Sequence, residues 1–258
     1  MLDIAVASRS ETGQRDTNED KVRVCREGPR WLAVVADGAG GHVGGAEASR
    51  RTVDHLETAL HEGNPPFTAD ALTAAVLSAH ADVLRAQPGA EGLGRMHSTV
   101  VVLWVDVSTE RALWSHVGDS RLYRARHGRV DLLTADDSVV QRMVDAGLLT
   151  QQQALVHPQK NQLIAALGID DAVDPHTVAR PVAIEEGDAF LLCSDGWWGA
   201  LEPGCIASTL SQADSPEEWL AAMRREIERQ AAPHQDNFSA IGVWVGDLGE
   251  ATRPMAAG

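Results

Sequence analysis

The sequence predicts an antiparallel α+β fold, and three observations carry that prediction. Apolar runs rich in β-branched and aromatic residues recur as short strands bounded by turn formers. The segments VSTER (107–111) and RHGR (126–129) read as hairpin connections, too short for a parallel crossover. The element order reads strands, two helices, strands, a short helical insert, strand, helix, strand, which is not the alternation of a doubly wound parallel sheet.

The strands are expected at 30–38 (RWLAVVADG), 98–107 (STVVVLWVDV), 111–119 (RALWSHVGD), 120–126 (SRLYRAR), 188–196 (DAFLLCSDG) and 238–247 (FSAIGVWVGD). Helical spacing puts Val53, Leu56 and Leu60 on one face, and Leu72, Val76, Ala79 and Val83 on another. Three further helix starts read as capping boxes: Ser138 with Gln141, Thr150 with Gln153, and Ser215 with Glu218, the last followed by Pro216. Leu220, Met223 and Ile227 give the final helix its apolar stripe. His55, His61 and His80 are expected on polar helix faces, Cys193 inside its strand as a small hydrophobe, and at least one of Trp197 and Trp198 in the core.

Composition narrows the function. The 258 residues are expected to form a single domain over 1–248, with a disordered tail at 249–258. With 22 Lys and Arg against 37 Asp and Glu, the net charge of -15 repels nucleic acid and anionic membrane surfaces alike. No window approaches the roughly 18 apolar residues of a membrane span, and the first residues lack a basic leader, so a cytoplasmic protein is expected. Cys25, Cys193 and Cys205 are odd in number and widely spaced, which indicates neither a disulfide framework nor a thiolate metal site.

The acids are placed with more regularity. Asp37, Asp119, Asp195 and Asp236 each lie at or beside the end of an apolar strand, and Glu19 and Asp20 lie in a polar loop near the start. An aspartate at a strand end is often a plain turn former. If these converge, however, two like charges ~4 Å apart cost on the order of 4 kcal/mol at an effective dielectric of 20, so a cation is required. Oxygen-only ligation selects a hard ion such as magnesium or manganese. After Asp37 come five glycines within residues 38–45, the pattern of a backbone that something must approach closely.

RDTNED (15–20), DGAGGHVGGAEAS (37–49), VGDSRLY (117–123), CSDG (193–196) and Asp236-Asn237, with HPQKNQLIAALG (157–168), occur in the order and spacing of the type 2C, metal-dependent (PPM) serine/threonine protein phosphatases. The chain resembles the bacterial members of that family from about residue 5 to 246. The resemblance implies an α-β-β-α sandwich, two antiparallel sheets flanked by helix pairs, with a small helical flap at about 134–165. It also implies two Mg or Mn ions, and a third in some members. Asp37 resembles the carboxylate that bridges two ions, Gly38 the residue whose carbonyl binds the second, and Asp195 and Asp236 the remaining direct ligands. Glu19 and Asp20 resemble acids that hold metal waters, and Asp119 with Asp195 the pair that takes the third ion. Arg15 matches the phosphate-binding arginine, and His42 the histidine proposed as general acid.

The implied activity is hydrolysis of phosphoserine and phosphothreonine in proteins by a water held between two ions. The implied partners are a bacterial Ser/Thr kinase and its substrates, met by a monomer. A cysteine phosphatase would need an arginine six positions after its nucleophile, and Cys25 has Arg30 only five later, while Cys193 and Cys205 have Gly199 and Ser211 at six. The same motifs would also suit a silent pseudophosphatase acting as a phosphoprotein scaffold, or a phosphatase of small molecules. Ala39, His97, Asp137 and Gly199 depart from the family pattern; they bear on third-ion binding and on the flap, not on the two-ion core.

Overall fold

The computed structural model describes residues 2–39, 43–87, 95–169, 172–230 and 234–247. Two antiparallel sheets form its centre. One has the strand order β1 (Ile4–Glu11), β13 (Phe238–Val245), β12 (Ala189–Cys193), β8 (Arg121–Arg126), β9 (Arg129–Leu132). The other runs β10 (His176–Thr177), β7 (Arg111–Val117), β6 (Val100–Asp106), β3 (Arg30–Ala36), β2 (Lys21–Glu27), with β11 (Val182–Ala183) also on β7. A two-stranded piece pairs β4 (Gly38–Ala39) with β5 (His97–Ser98).

The central strands are apolar at nearly every position because both of their faces are covered. On β3 and β6, Leu32, Val34, Val100, Val102 and Trp104 face helices α1 (Val43–Glu57) and α2 (Ala69–Arg85), where they meet Val53, Leu56, Leu72 and Val76. The alternate residues, Ala33, Val35, Val101, Leu103 and Val105, meet Leu122, Phe190, Leu192, Ile241 and Val243 of the other sheet. That sheet turns Leu191, Cys193, Ala240 and Trp244 outward onto α6 (Cys205–Gln212) and α7 (Pro216–Gln230), with Trp219, Leu220, Met223 and Ile227 in the contact. Three apolar layers between four layers of structure make the expected α-β-β-α sandwich.

Most of the expected elements stand where the sequence places them. The RHGR hairpin is a two-residue turn with positive φ at both His127 and Gly128, the primed geometry that matches strand twist. Strands β1 and β2 are additions to the sequence reading. IAVASRSE is half buried and low in strand propensity, and its pairing along the whole of β13, from Ile4 with Val245 to Glu11 with Phe238, makes it a strand. Helix α1 ends in a π-turn at Thr58–Glu62 that keeps Leu60 buried.

Two of the three capping boxes need correction. Thr150 makes both bonds of the box with Gln153 at the start of α4 (Gln151–Leu155). Ser138 caps α3 (Val139–Asp145) through the Gln141 N–H, but the Gln141 side chain donates to Asp145 instead of reaching back. Ser215 accepts from the Glu218 N–H, while the Glu218 carboxylate accepts from Asp214 N–H, one residue beyond the cap. His80 is also corrected: it is buried in α2, and its Nδ1 accepts the Gly168 N–H at 3.1 Å, so it ties the helix to the loop at Gly168.

Antiparallel pairing decides where the strand ends go. Ala36 at the end of β3 pairs with Lys21 at the start of β2, and Cys193 at the end of β12 pairs with Ala240 near the start of β13. Val117 at the end of β7 pairs with Val100 at the start of β6. The chain then leaves one sheet for the other through Gly118–Ser120, between β7 and β8. The acids next to these ends therefore lie at one end of the sandwich.

Candidate active site

A cleft of about 570 Å³ opens at that end, bordered by Arg15, Glu19, Asp37, Gly38, Asp119, Asp195 and Asp236, with Thr99 and Asn237 in its wall. At ~30 Å³ per water this is room for roughly twenty water volumes, enough for a phosphoryl group with hydrated ions. Residues from strands of both sheets thus meet in one place.

Each acid is held by its own backbone or by a neighbour. The Asp37 N–H donates to Thr99 Oγ1 at 3.1 Å, and the Thr99 N–H donates to the Asp37 carbonyl at 2.8 Å. Asp236 Oδ1 accepts the Asn237 N–H at 2.8 Å, and its Oδ2 accepts from Arg15 at 2.6 Å. The Asn237 side chain accepts the Glu19 N–H and donates to the carbonyls of Thr12 and Thr17, which lashes the N-terminal loop to the start of β13. Asp195 begins the single turn α5 (Asp195–Trp198), and Trp198 Nε1 donates to the Asp119 carbonyl at 2.9 Å. Trp197 is fully buried, as expected for one of the pair, and Trp198 lies under the Arg121 guanidinium at 3.4 Å. Asp136 grips Arg121 from the other side through two bonds of 2.9 and 2.8 Å.

The glycines have a steric reason. A Cβ on Gly38 would stand 2.1 Å from the Gly45 carbonyl oxygen, and one on Gly196 2.0 Å from that of Asn237. Main chain packs on main chain at both places, beside Asp37 and Asp195, and only glycine fits.

The electrostatics are those of a cluster lacking enough cations of its own. Burial pushes Asp37 well above the usual carboxylate range, and the charges of Asp20, Asp195 and Asp119 push it further. Asp119 is raised by burial and then by Asp195, and Asp195 by burial and then by Asp236. Burial lifts Asp20 to about 7, with the hydroxyls of Ser239 and Ser194 pulling it part of the way back. Asp20 Oδ2 accepts from the Ser194 hydroxyl at 2.8 Å, whereas its buried Oδ1 has no hydrogen-bond partner. Among the described residues no three His, Cys, Asp or Glu side chains are closed on a single point as a finished coordination shell. The acids border an open cleft, and their oxygen-only donor set, mutual repulsion and orphaned Asp20 oxygen fit hard divalent ions surrounded by water.

The protein phosphatase 2C family profile matches residues 8–235. The chain belongs to the protein phosphatase 2C family. A serine/threonine protein phosphatase, PstP of Mycobacterium tuberculosis, is 33% identical over 264 residues, covering 100% of this chain and 48% of that protein. The chain therefore spans about half the length of that relative. Protein phosphatase PhpP of Streptococcus pneumoniae is 33% identical over 192 residues, 72% of this chain and 76% of its own. The catalytic domain of PstP, solved in complex with two manganese ions, superposes with a TM-score of 0.80 at 29% identity over 96% of this chain and 100% of that one.

Within this phosphatase 2C fold, Arg15, Glu19, Asp37, Gly38, Asp119, Asp195 and Asp236 all border the cleft, and Asp20 lies just behind it. His42, expected as general acid, and the tail at 249–258 lie outside the described residues. The sequence reading missed Thr99 and Ser120, whose hydroxyls meet at 2.7 Å, and the flap residues Asn161 and Leu163 in the cleft wall. MHST and HPQKNQ stand out as segments, but nothing local in them singles out the residue that faces the site. Asp137, one of the departures, accepts the Gly118 N–H at 2.9 Å and pairs with His176 at 2.9 Å, so it anchors the flap entrance beside Asp119.

Proposed function

We propose that the chain catalyses metal-dependent hydrolysis of phosphoserine and phosphothreonine in proteins, in a single catalytic domain over 1–248 with the flap at about 134–165. The observation that carries this reading is the meeting of four strand-end aspartates from both sheets in one cleft beside Arg15.

In this reading Asp37, the Gly38 carbonyl, Asp195 and Asp236 hold two Mg or Mn ions, Glu19 and Asp20 accept hydrogen bonds from surrounding waters, and Asp119 with Asp195 offers a third, weaker position. When bound, such ions supply Lewis acidity and bring the pKa of a water toward neutrality. Arg15 spends one guanidinium donor on Asp236 and, being half exposed, has others for the oxygens of a phosphoryl group. The acids exclude any stray anion from the cleft until cations offset them. Asn237 and Thr99 keep the loops of Glu19 and Asp37 from shifting as charge develops, because Asn237 bonds the backbone of Glu19, Thr12 and Thr17 and Thr99 exchanges bonds with the backbone of Asp37. His42 is assigned the proton delivered to the departing serine or threonine oxygen.

No helix among the described residues is long and apolar enough to cross a membrane. We take the chain to act as a monomer opposite a bacterial Ser/Thr kinase, without binding nucleic acid or membrane. Turnover of a phosphothreonine peptide with manganese, and its loss in EDTA, tests the reading. Cleavage of p-nitrophenyl phosphate alone, or silence on both substrates, refutes it.

A further inference from the structure

Thr99 sits where three parts of the molecule meet. It is 3% exposed, and its hydroxyl is the acceptor for the Asp37 N–H at 3.1 Å. The same hydroxyl contacts Ser120 Oγ at 2.7 Å, one residue past Asp119. Its main-chain N–H returns a bond to the Asp37 carbonyl, so the two residues are joined in both directions. The residue before it, Ser98, exchanges two backbone bonds with Leu167, of 3.0 and 2.8 Å. Its methyl group faces Gly118, where an added Cβ would stand 2.7 Å from Thr99 Cγ2.

We infer that Thr99 is a positioning residue whose hydroxyl sets Asp37 and, through Ser120, the Asp119 loop in register for cation binding. The inference rests on the proposed metal-dependent reading. Asp37 follows β3 in one sheet, while Asp119 lies on the crossing to the other, and the Thr99–Ser120 hydroxyl contact spans that junction directly. Two buried carboxyls that repel one another open apart unless their loops are fastened, and a short hydroxyl bond costs less space than a salt bridge would. The hydroxyl and the methyl of Thr99 have separable jobs: one orients the acids, the other fills the space over Gly118.

That separation supplies the test. Manganese binding to Thr99→Val, Thr99→Ser, Asp37→Asn and the unaltered protein is measured by calorimetry, with thermal unfolding in EDTA alongside. Valine keeps the shape and removes the acceptor, so manganese affinity is expected to fall about tenfold, the scale of one buried hydrogen bond to an orphaned N–H. Serine keeps the hydroxyl and removes the methyl, so it is expected to retain affinity within about twofold while losing thermal stability. Equal manganese affinity in Thr99→Val and the unaltered protein, with Asp37→Asn defective, overturns the positioning role and leaves the metal reading intact. If serine loses affinity as valine does, the hydroxyl is not the operative group and the inference is likewise overturned. Manganese binding that Asp37→Asn leaves unchanged refutes the metal reading itself.

Discussion

Asp20→Asn is expected to stabilise the protein in EDTA while weakening its hold on divalent ions. The side chain is 1% exposed, and only one of its two oxygens has a hydrogen-bond donor. Burial lifts the carboxyl from 3.8 to about 7. At ~1.36 kcal/mol for each tenfold change in proton affinity, that rise means the ionised group costs the fold roughly 4 kcal/mol. The folded carboxyl holds its proton more tightly than the unfolded one, so the folded state carries more bound proton between about pH 4 and 7. Stability therefore falls as pH rises through that window and stays low above it. Asparagine has no charge to lose. Its amide must still place an NH₂ where an oxygen stood, so the net gain above pH 7 is expected to be roughly 2 to 3 kcal/mol. Urea denaturation in EDTA across the window measures it, and the variant's stability should decline less steeply than that of the unaltered protein. Added manganese should narrow or reverse the difference, because a cation supplies the partner that Asp20 lacks. A variant no more stable above pH 7 in EDTA, or one that manganese stabilises as strongly as the unaltered protein, refutes the reasoning.

Three more outcomes are expected. Asp37→Asn should lose peptide turnover by about a hundredfold or more, with manganese uptake by calorimetry falling in parallel, since it removes the carboxylate on which the charges of Asp20, Asp195 and Asp119 all bear. Gly38→Ala should destabilise by at least about 1–3 kcal/mol in chemical denaturation and weaken manganese binding, because its Cβ would stand 2.1 Å from one main-chain oxygen and 2.8 Å from another. Arg126→Met should cost about 3–5 kcal/mol in urea, far from the cleft, by leaving Asp188 buried without the arginine that now meets both of its oxygens at 2.6 and 2.5 Å. Asp188→Asn combined with Arg126→Met should recover much of that loss, because the buried charge goes with its partner.

The legible parts of this protein are the ones written in local pattern. Leu72, Val76, Ala79 and Val83 announce α2 by their spacing, and all four are fully buried. Thr150 and Gln153 announce the start of α4 and cap it as read. Asp37, Asp119, Asp195 and Asp236 stand out because each interrupts or adjoins an apolar run, and family resemblance assigns them roles that spacing alone leaves open. His80 misleads for the same reason: its helical position says nothing about Gly168, the loop residue 88 positions away that covers it. Strand β1 escapes because the alanines, serines and charges of IAVASRSE carry little strand propensity, and the segment becomes a strand only when β13 is beside it.

By itself the sequence determined most of the strands and helices and which acids end up at strand termini. These follow from side-chain periodicity and turn chemistry, which act over a few residues. Only the tertiary structure decided that those termini share one end of a two-sheet sandwich, that Thr99 fastens the Asp37 loop to the Asp119 loop, and that Asn237 reaches back 225 residues to the carbonyl of Thr12. Bonds of that kind depend on pairings between strands far apart in the chain, and such pairings, unlike a hairpin, leave no mark in local spacing.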